Sequence, residues 1–523
     1  MNIKTLNFSK ISFFLFHILF FIATISFVLP GSAPAATDVR DSMVKIYCVQ
    51  NEPDYDNPWQ MKGPEAFSGS GAVIAGNRIL TNAHVVSDHT FIQVRLHGQA
   101  KKHPAKVIAV SHEADVALLT VDDPSFFKGI KPLKLGRLPE IEEEVIVCGF
   151  PEGGDTLSTT KGVVSRIESR RYAHSLMELL AGQLDAAINS GNSGGPVMVN
   201  NRIVGVVMQT LKESENIGYM VPVPVIEHFL TDIEDGRYDG FPEDGLLIQP
   251  LENASLKKMN GLNDDQSGAL VVSVIAGSVA KNRIFPGDVL LSIDGHRIAD
   301  DGTVEFRPRE RTSCDFYVKQ HQIGEDIVYK VLRYGKEKTV KFSLDKNSRN
   351  SRLVPKYRYD VRPSYYVYGG LVFSPLTLNY IMTWGDNWTE DAPFNLVNYF
   401  THGLPAKENE EVVTIIKVLP SDVNTAYDDF TNERIIMANG KTIINLRHLI
   451  AIVESSTEDP FVVFVTEKGH KIALDRKKAE RDQVAILATY QILYGRSPDL
   501  KTAVSNNNAK SNELAKASST QVN

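Results

Sequence analysis

The stretch Gly191-Asn192-Ser193-Gly194-Gly195-Pro196 decides the reading of this chain. A serine set among glycines makes a sharp turn with little side-chain bulk, so its hydroxyl stands clear while backbone N–H groups converge on one point. An acyl-transfer nucleophile and its oxyanion hole can be built from one such loop. Upstream, Leu80-Thr81-Asn82-Ala83-His84-Val85-Val86 carries a histidine and Ala114-Asp115-Val116-Ala117-Leu118-Leu119 an aspartate, each at the edge of an apolar, β-prone run. Taken singly, His84 reads as a core histidine, Asp115 as a strand cap and Ser193 as part of a glycine-rich hairpin. Together they supply base, orienting acid and nucleophile.

Their order along the chain is His, Asp, Ser, which belongs to the chymotrypsin-type double barrel and not to the subtilisin or α/β-hydrolase arrangements. Between residues 38 and 235, short runs at 71–74, 91–96, 106–110, 116–121, 144–148, 162–167 and 203–209 alternate with turn residues. That cadence predicts strands of an all-β barrel architecture. Residues 223–233 have helical spacing and are expected to close this domain, with 235–240 as a linker.

The chain also resembles a known family, the Deg/HtrA serine proteases. The resemblance rests on Gly69-Ser70-Gly71-Ala72-Val73-Ile74, the histidine motif at 81–86, Asp115-Val116-Ala117-Leu118-Leu119, Gly149-Phe150-Pro151 and Asp185-Ala186-Ala187-Ile188-Asn189-Ser190. Glu215-Asn216-Ile217-Gly218-Tyr219, Gly302-Thr303-Val304 with Phe306-Arg307, and Pro363-Ser364-Tyr365-Tyr366 are similar to the plant-type Deg branch, whose members carry two PDZ domains. Ser190 departs from the family's usual proline three residues before the nucleophile, a change expected to alter loop stiffness more than chemistry. The resemblance implies ATP-independent degradation of unfolded or damaged proteins in quality control, at times combined with chaperone-like holding, and assembly from trimers. It implies no cofactor.

The expected fold is therefore mainly β, a chymotrypsin-like double β-barrel protease domain at 38–235 followed by two PDZ-like α+β domains at 241–345 and 357–495. In the first, Pro286-Gly287-Asp288-Val289-Leu290-Leu291-Ser292-Ile293-Asp294-Gly295 has the form of a turn entering a strand. PDZ domains add an extended peptide to a sheet edge, and Leu246, Leu247 and Ile248 are the expected strand and loop, unless they form only a buried edge. The second unit carries 412–418, 434–440 and 446–453 in matching order, an insertion with Trp384, Trp388, Tyr399 and Phe400, and a helical pattern at 479–493. Those aromatics read as core or as a subunit contact.

Lys4 and Lys10 precede an apolar run at 11–29, and Ala33-Pro34-Ala35 offers small residues to a signal peptidase. Residues 1–35 are read as a signal peptide cleaved after Ala35 or Ala36, with an uncleaved membrane anchor as the competing reading. Either places the protein outside the cytoplasm, most simply in a periplasm. At 523 residues the chain has room for several cores, and a net charge of −7 without a basic stripe argues against nucleic-acid binding. Cys48, Cys148 and Cys314 are too few and too far apart for a disulfide framework, Cys48 and Cys148 read as small buried hydrophobes, and no Cys/His spacing suggests a metal site. Residues 499–523 are polar and are expected to be disordered.

In the expected mechanism Asp115 orients His84, His84 takes the Ser193 proton, and the loop Gly191, Asn192 and Ser193 forms the oxyanion hole through the Gly191 and Ser193 N–H groups. Activity is expected to rise with pH as His84 loses its proton. The primary pocket is expected to have Ala187 at its base, Ile188 beside it and Asn216, Ile217 and Gly218 as a wall. Asp185 is the competing charged candidate, read as structural. Such a lining favours small or medium aliphatic side chains over Arg or Lys. The alternative function is a chaperone-like or PDZ peptide-binding scaffold with little resting proteolysis.

Overall fold

The computed structural model describes residues 38–151, 154–186, 188–208, 218–346, 352–455 and 458–501. The signal segment and most of the polar tail lie outside the described residues.

The His and Asp motifs sit on one sheet of seven strands, in the spatial order His103–Pro104, His89–Leu96, Met43–Gln50, Glu65–Ile74, Arg78–Thr81, Val116–Thr120 and Lys106–Ser111. The Ser193 loop belongs to a second sheet, ordered Pro196–Val199, Glu144–Gly149, Ser158–Arg171, Glu178–Asp185, Gly218–Pro222, Arg202–Met208 and Lys134–Leu135. Because Pro196–Val199 also pairs with Arg202–Met208, all but the last of these strands close into a barrel. Closure removes exposed edges and encloses a core that includes Val145, Leu184, Val197 and Met220, each fully buried. The first sheet curls around its own core of Val44, Ile46, Val94 and Leu119 without a closing hydrogen-bonded pair among the described residues. Helix Val223–Asp232 then packs Ile226 and Phe229 onto the second barrel, as the helical spacing predicts.

Two smaller bodies follow. In the first, the sheet order is Leu246–Pro250, Ala269–Val274, Val289–Ile293, Asp326–Arg333 and Lys336–Ser343, with helix Asp315–Gln320 alongside. Leu246–Pro250 is an edge strand, paired on one side only. In the second, a sheet of Tyr366–Tyr368, Leu371–Pro375 and Val413–Val418 packs with a sheet of Lys441–Thr442, Ile435–Ala438, Phe461–Thr466 and Lys471–Asp475 and with helices Leu446–Ser455 and Arg476–Thr489. The inserted aromatics pack inward against the core at Leu376, Ile381 and Leu396, with Trp388 edge-on to Phe400, so the core reading describes them. Cys48 and Cys148 are buried thiols, and burial pushes Cys48 up to about 12.

Candidate active site

The Ser193 loop runs from the end of Glu178–Asp185 to the start of Pro196–Val199 and is held from beneath by Ser70. The Ser70 N–H donates to the Ser193 carbonyl at 2.8 Å, while its hydroxyl donates to the Gly191 carbonyl at 2.7 Å and accepts from the Phe150 N–H at 2.7 Å. Thr81 Oγ1 donates in turn to the Ser70 carbonyl at 2.8 Å. Both side chains are fully buried, so one residue ties the first sheet to both ends of the nucleophile turn. Ser70 entered the sequence reading only as part of a family motif. A small polar residue between two glycines, just before the apolar run Ala72-Val73-Ile74, was the local signal for it.

Gly194 closes the turn at φ +84°, and a Cβ there would lie 2.2 Å from both the Ser70 carbonyl oxygen and Thr81 Oγ1. Neither can retreat without breaking the bonds just described. Gly194→Ala is therefore expected to lower kcat on a short peptide substrate by about 100-fold or more, the scale of a misplaced reacting group, with circular dichroism unchanged. Wild-type kcat in that variant would show that the turn tolerates the shift.

Asp115 is 2% exposed and has φ +53°, at the end of a turn leading into Val116–Thr120. Its Oδ1 accepts the His84 backbone N–H at 2.9 Å, and His84 Nδ1 lies 3.0 Å from Oδ1 and 2.8 Å from Oδ2. Asn82 Nδ2 donates to the Asp115 carbonyl at 2.7 Å, so the two loops are stitched by main chain as well as side chain. Burial alone would push the carboxyl up; the His84 charge and its hydrogen bonds outweigh it and hold Asp115 below the usual carboxylate range. Asp115 thus stays ionised, accepts a proton-bearing Nδ1 and leaves Nε2 as the ring's lone-pair nitrogen.

Ser193 is 9% exposed, and among the described residues no hydrogen bond joins its Oγ to His84. Resting sites often show this bond long or unmade. Gly191 has φ +91°, and neither its N–H nor that of Ser193 is taken by an acceptor among the described residues. The Asn192 N–H, by contrast, is spent on the Asn189 carbonyl at 3.0 Å, which leaves Gly191 and Ser193 as the loop's available donors. Of the expected pocket, Ile188 and Gly218 are brought together: a Cβ on Gly218 would meet Ile188 Cδ1 at 2.0 Å. Ala187, Asn216 and Ile217 lie outside the described residues. Asp185 ends its strand exposed, paired with Val163.

Leu246, Leu247 and Ile248 lie half-buried on the edge strand far from this centre in sequence. The Leu246 N–H already donates to Asp244 Oδ1 at 2.9 Å, and burial pushes the Asp244 carboxyl up to about 6. Among the described residues no group of three or more His, Cys, Asp or Glu is placed to hold a metal ion.

The barrel, the acid–histidine pair and the nucleophile turn define a trypsin-like serine peptidase. Residues 69–206 match the model of the trypsin-like peptidase domain, and residues 354–499 match that of a PDZ domain. Over 454 residues the chain is 39% identical to Protease Do-like 4, mitochondrial, of Arabidopsis thaliana, covering 86% of this chain and 84% of the relative. It is 37% identical over 464 residues to Protease Do-like 2, chloroplastic, of the same plant, covering 88% and 75% respectively. The chain belongs to the Do-like, or Deg/HtrA, family of serine proteases and is a serine endopeptidase.

Proposed function

We propose that this protease cuts unfolded or damaged polypeptides without ATP, by an acyl-enzyme route in which Ser193 is the nucleophile, His84 the base and Asp115 the orienting acid. The observation that carries the reading is the ionised Asp115 clasping His84 in two places beside a loop whose Gly191 and Ser193 N–H groups are unspent among the described residues. His84 Nε2 takes the hydroxyl proton as Ser193 Oγ attacks the peptide carbonyl. The two N–H groups receive the oxyanion, each worth about 3 kcal/mol of barrier. His84 then gives its proton to the leaving amine, and water repeats the sequence to free the acyl group.

Ile188, half-buried and packed against Gly218, gives the expected pocket an apolar side, which supports cleavage after small or medium aliphatic residues. The unit at 241–345 is read as a further PDZ domain whose edge strand Leu246–Pro250 takes a peptide by strand addition. With Asp244 already holding the Leu246 N–H, internal segments suit that edge better than a terminal carboxylate. Assembly from trimers is part of the same proposed reading. The mature chain is read as working outside the cytoplasm, although the relatives are named for mitochondria and chloroplasts. The unmade Ser193–His84 bond gives the second reading, a peptide-holding protein with slow resting proteolysis, its one structural support.

Incubating the mature chain and its Ser193→Ala variant with reduced casein, without ATP, and mapping the cuts by mass spectrometry separates the two. Cuts after Val, Ala, Ile or Leu that vanish in the variant are expected. Cuts after Lys or Arg would overturn the pocket, and no cleavage by either protein, even with added peptides, would favour the holding role.

A further inference from the structure

The segment that enters the matched PDZ domain crosses the protease domain beside the His84–Asp115 pair. Lys356 Nζ reaches Met177 Sδ at 3.2 Å, the Tyr359 hydroxyl donates to the His174 carbonyl at 2.8 Å, and Tyr55 Oη donates to the Val361 carbonyl at 3.3 Å. The Tyr359 ring lies flat on the His174 ring, with centroids 3.7 Å apart and planes 19° apart, and stacks on His112 at 4.9 Å. His174 is buried, and its ring centroid is 6.1 Å from that of His84.

The neighbouring Asp360 makes the polar half of the same contact. Its Oδ1 accepts the Asp88 N–H at 2.6 Å, its own N–H donates to Asp88 Oδ1 at 2.8 Å, and its Oδ2 lies 2.8 Å from His112 Nε2. His112 Nδ1 lies 3.0 Å from His174 Nε2. A carboxylate can only accept, so His112 presents Nε2–H to Asp360 and its bare Nδ1 to a proton on His174 Nε2. Burial pushes His174 down to about 3, which keeps that ring neutral and the chain of donors in one sense.

Each anchored point leads to a catalytic group. Asp88 ends the turn that begins at His84, where Ser87 Oγ donates back to the His84 carbonyl at 3.4 Å. His112 opens the turn that ends at Asp115, its carbonyl accepting the Asp115 N–H at 3.4 Å. His174 lies in a third turn, its ring centroid 5.3 Å from that of His112 and 6.1 Å from that of His84. We propose that Tyr359 and Asp360 are positioning residues for proteolysis: docked, they hold the turns carrying His84 and Asp115 in register, so the entry segment of the PDZ domain sets the catalytic rate. The inference rests on the reading of His84, Asp115 and Ser193 as the triad.

The test is steady-state cleavage of a short chromogenic peptide, too small to need a PDZ domain, by the full mature chain. Asp360→Ala is expected to lower kcat by about 10- to 100-fold with KM within about twofold, as for a group that misplaces the reacting residues. Asp360→Asn can still bond both Asp88 and His112, with the histidine tautomers reversed, and is expected to recover kcat to within about threefold of wild type. Lys417→Ala removes a different contact between the same two bodies, to Asp56 and Asn57 at 2.8 and 2.7 Å, and is expected to leave kcat unchanged. If Asp360→Ala fails to fold, Tyr359→Phe decides, since it keeps the stacked ring and loses only the bond to the His174 carbonyl; a fall of about threefold in kcat is expected. Wild-type kcat in Asp360→Ala, or an equal loss in Lys417→Ala, would overturn the inference. Wild type against Ser193→Ala on the same peptide scores the triad separately.

Discussion

Replacing Ser193 with alanine is expected to lower kcat by about 10⁶-fold while leaving the fold intact, because the loop's shape does not depend on the hydroxyl. The loop is fixed by the Ser70 bonds to the Gly191 and Ser193 carbonyls, and the Ser193→Ala variant keeps both of those backbone acceptors. Residual catalysis of about 10³- to 10⁴-fold over water should survive from the N–H groups of Gly191 and of the substituted position. The check is a peptide rate assay paired with thermal unfolding. A variant that keeps even a hundredth of the activity would mean that another nucleophile does the work.

Asp115→Asn is expected to cost about 10⁴-fold in kcat, for a different reason. Asp115 accepts from the His84 backbone N–H and faces His84 Nδ1, so an asparagine must turn its NH₂ toward one of them. Turned toward Nδ1, it donates there and forces the proton onto Nε2, the nitrogen that has to receive the Ser193 proton. Turned the other way, it sets donor against donor at the backbone. With the side chain 3% exposed, water cannot relieve either arrangement. Thermal unfolding should shift far less than the rate, and KM should stay near wild type, which separates a lost tautomer from a lost fold.

How much of this was legible depended on the range of the interaction that fixes each feature. The Ser193, His84 and Asp115 motifs were legible because each is a local turn with its own residue requirements, and chain order then pointed to one barrel type. Strand 158–171 was read only at 162–167, since its ends are polar and no more than half-buried and gain their pairing from Glu144–Gly149 and Glu178–Asp185. The last helix starts at Arg476 and not 479 because the Asp475 side chain accepts from the Lys478 N–H at 2.8 Å, and it stops at Thr489, before Gln491 turns to φ +55°. Closure of the second barrel, the Ser70 tie and the Asp88–Asp360 pair, whose members are 272 residues apart, depend on contacts that no sequence window contains.

The account's central claim is that Ser193 is a nucleophile activated by His84 and Asp115. The measurement that tests it most directly is labelling of the mature wild-type protein with a fluorophosphonate, with the modified peptide identified by mass spectrometry. The account predicts one label per chain on Ser193, abolished in Ser193→Ala and slowed by orders of magnitude in Asp115→Asn. Labelling at another residue, or labelling of Ser193 at the same rate without Asp115, would contradict it.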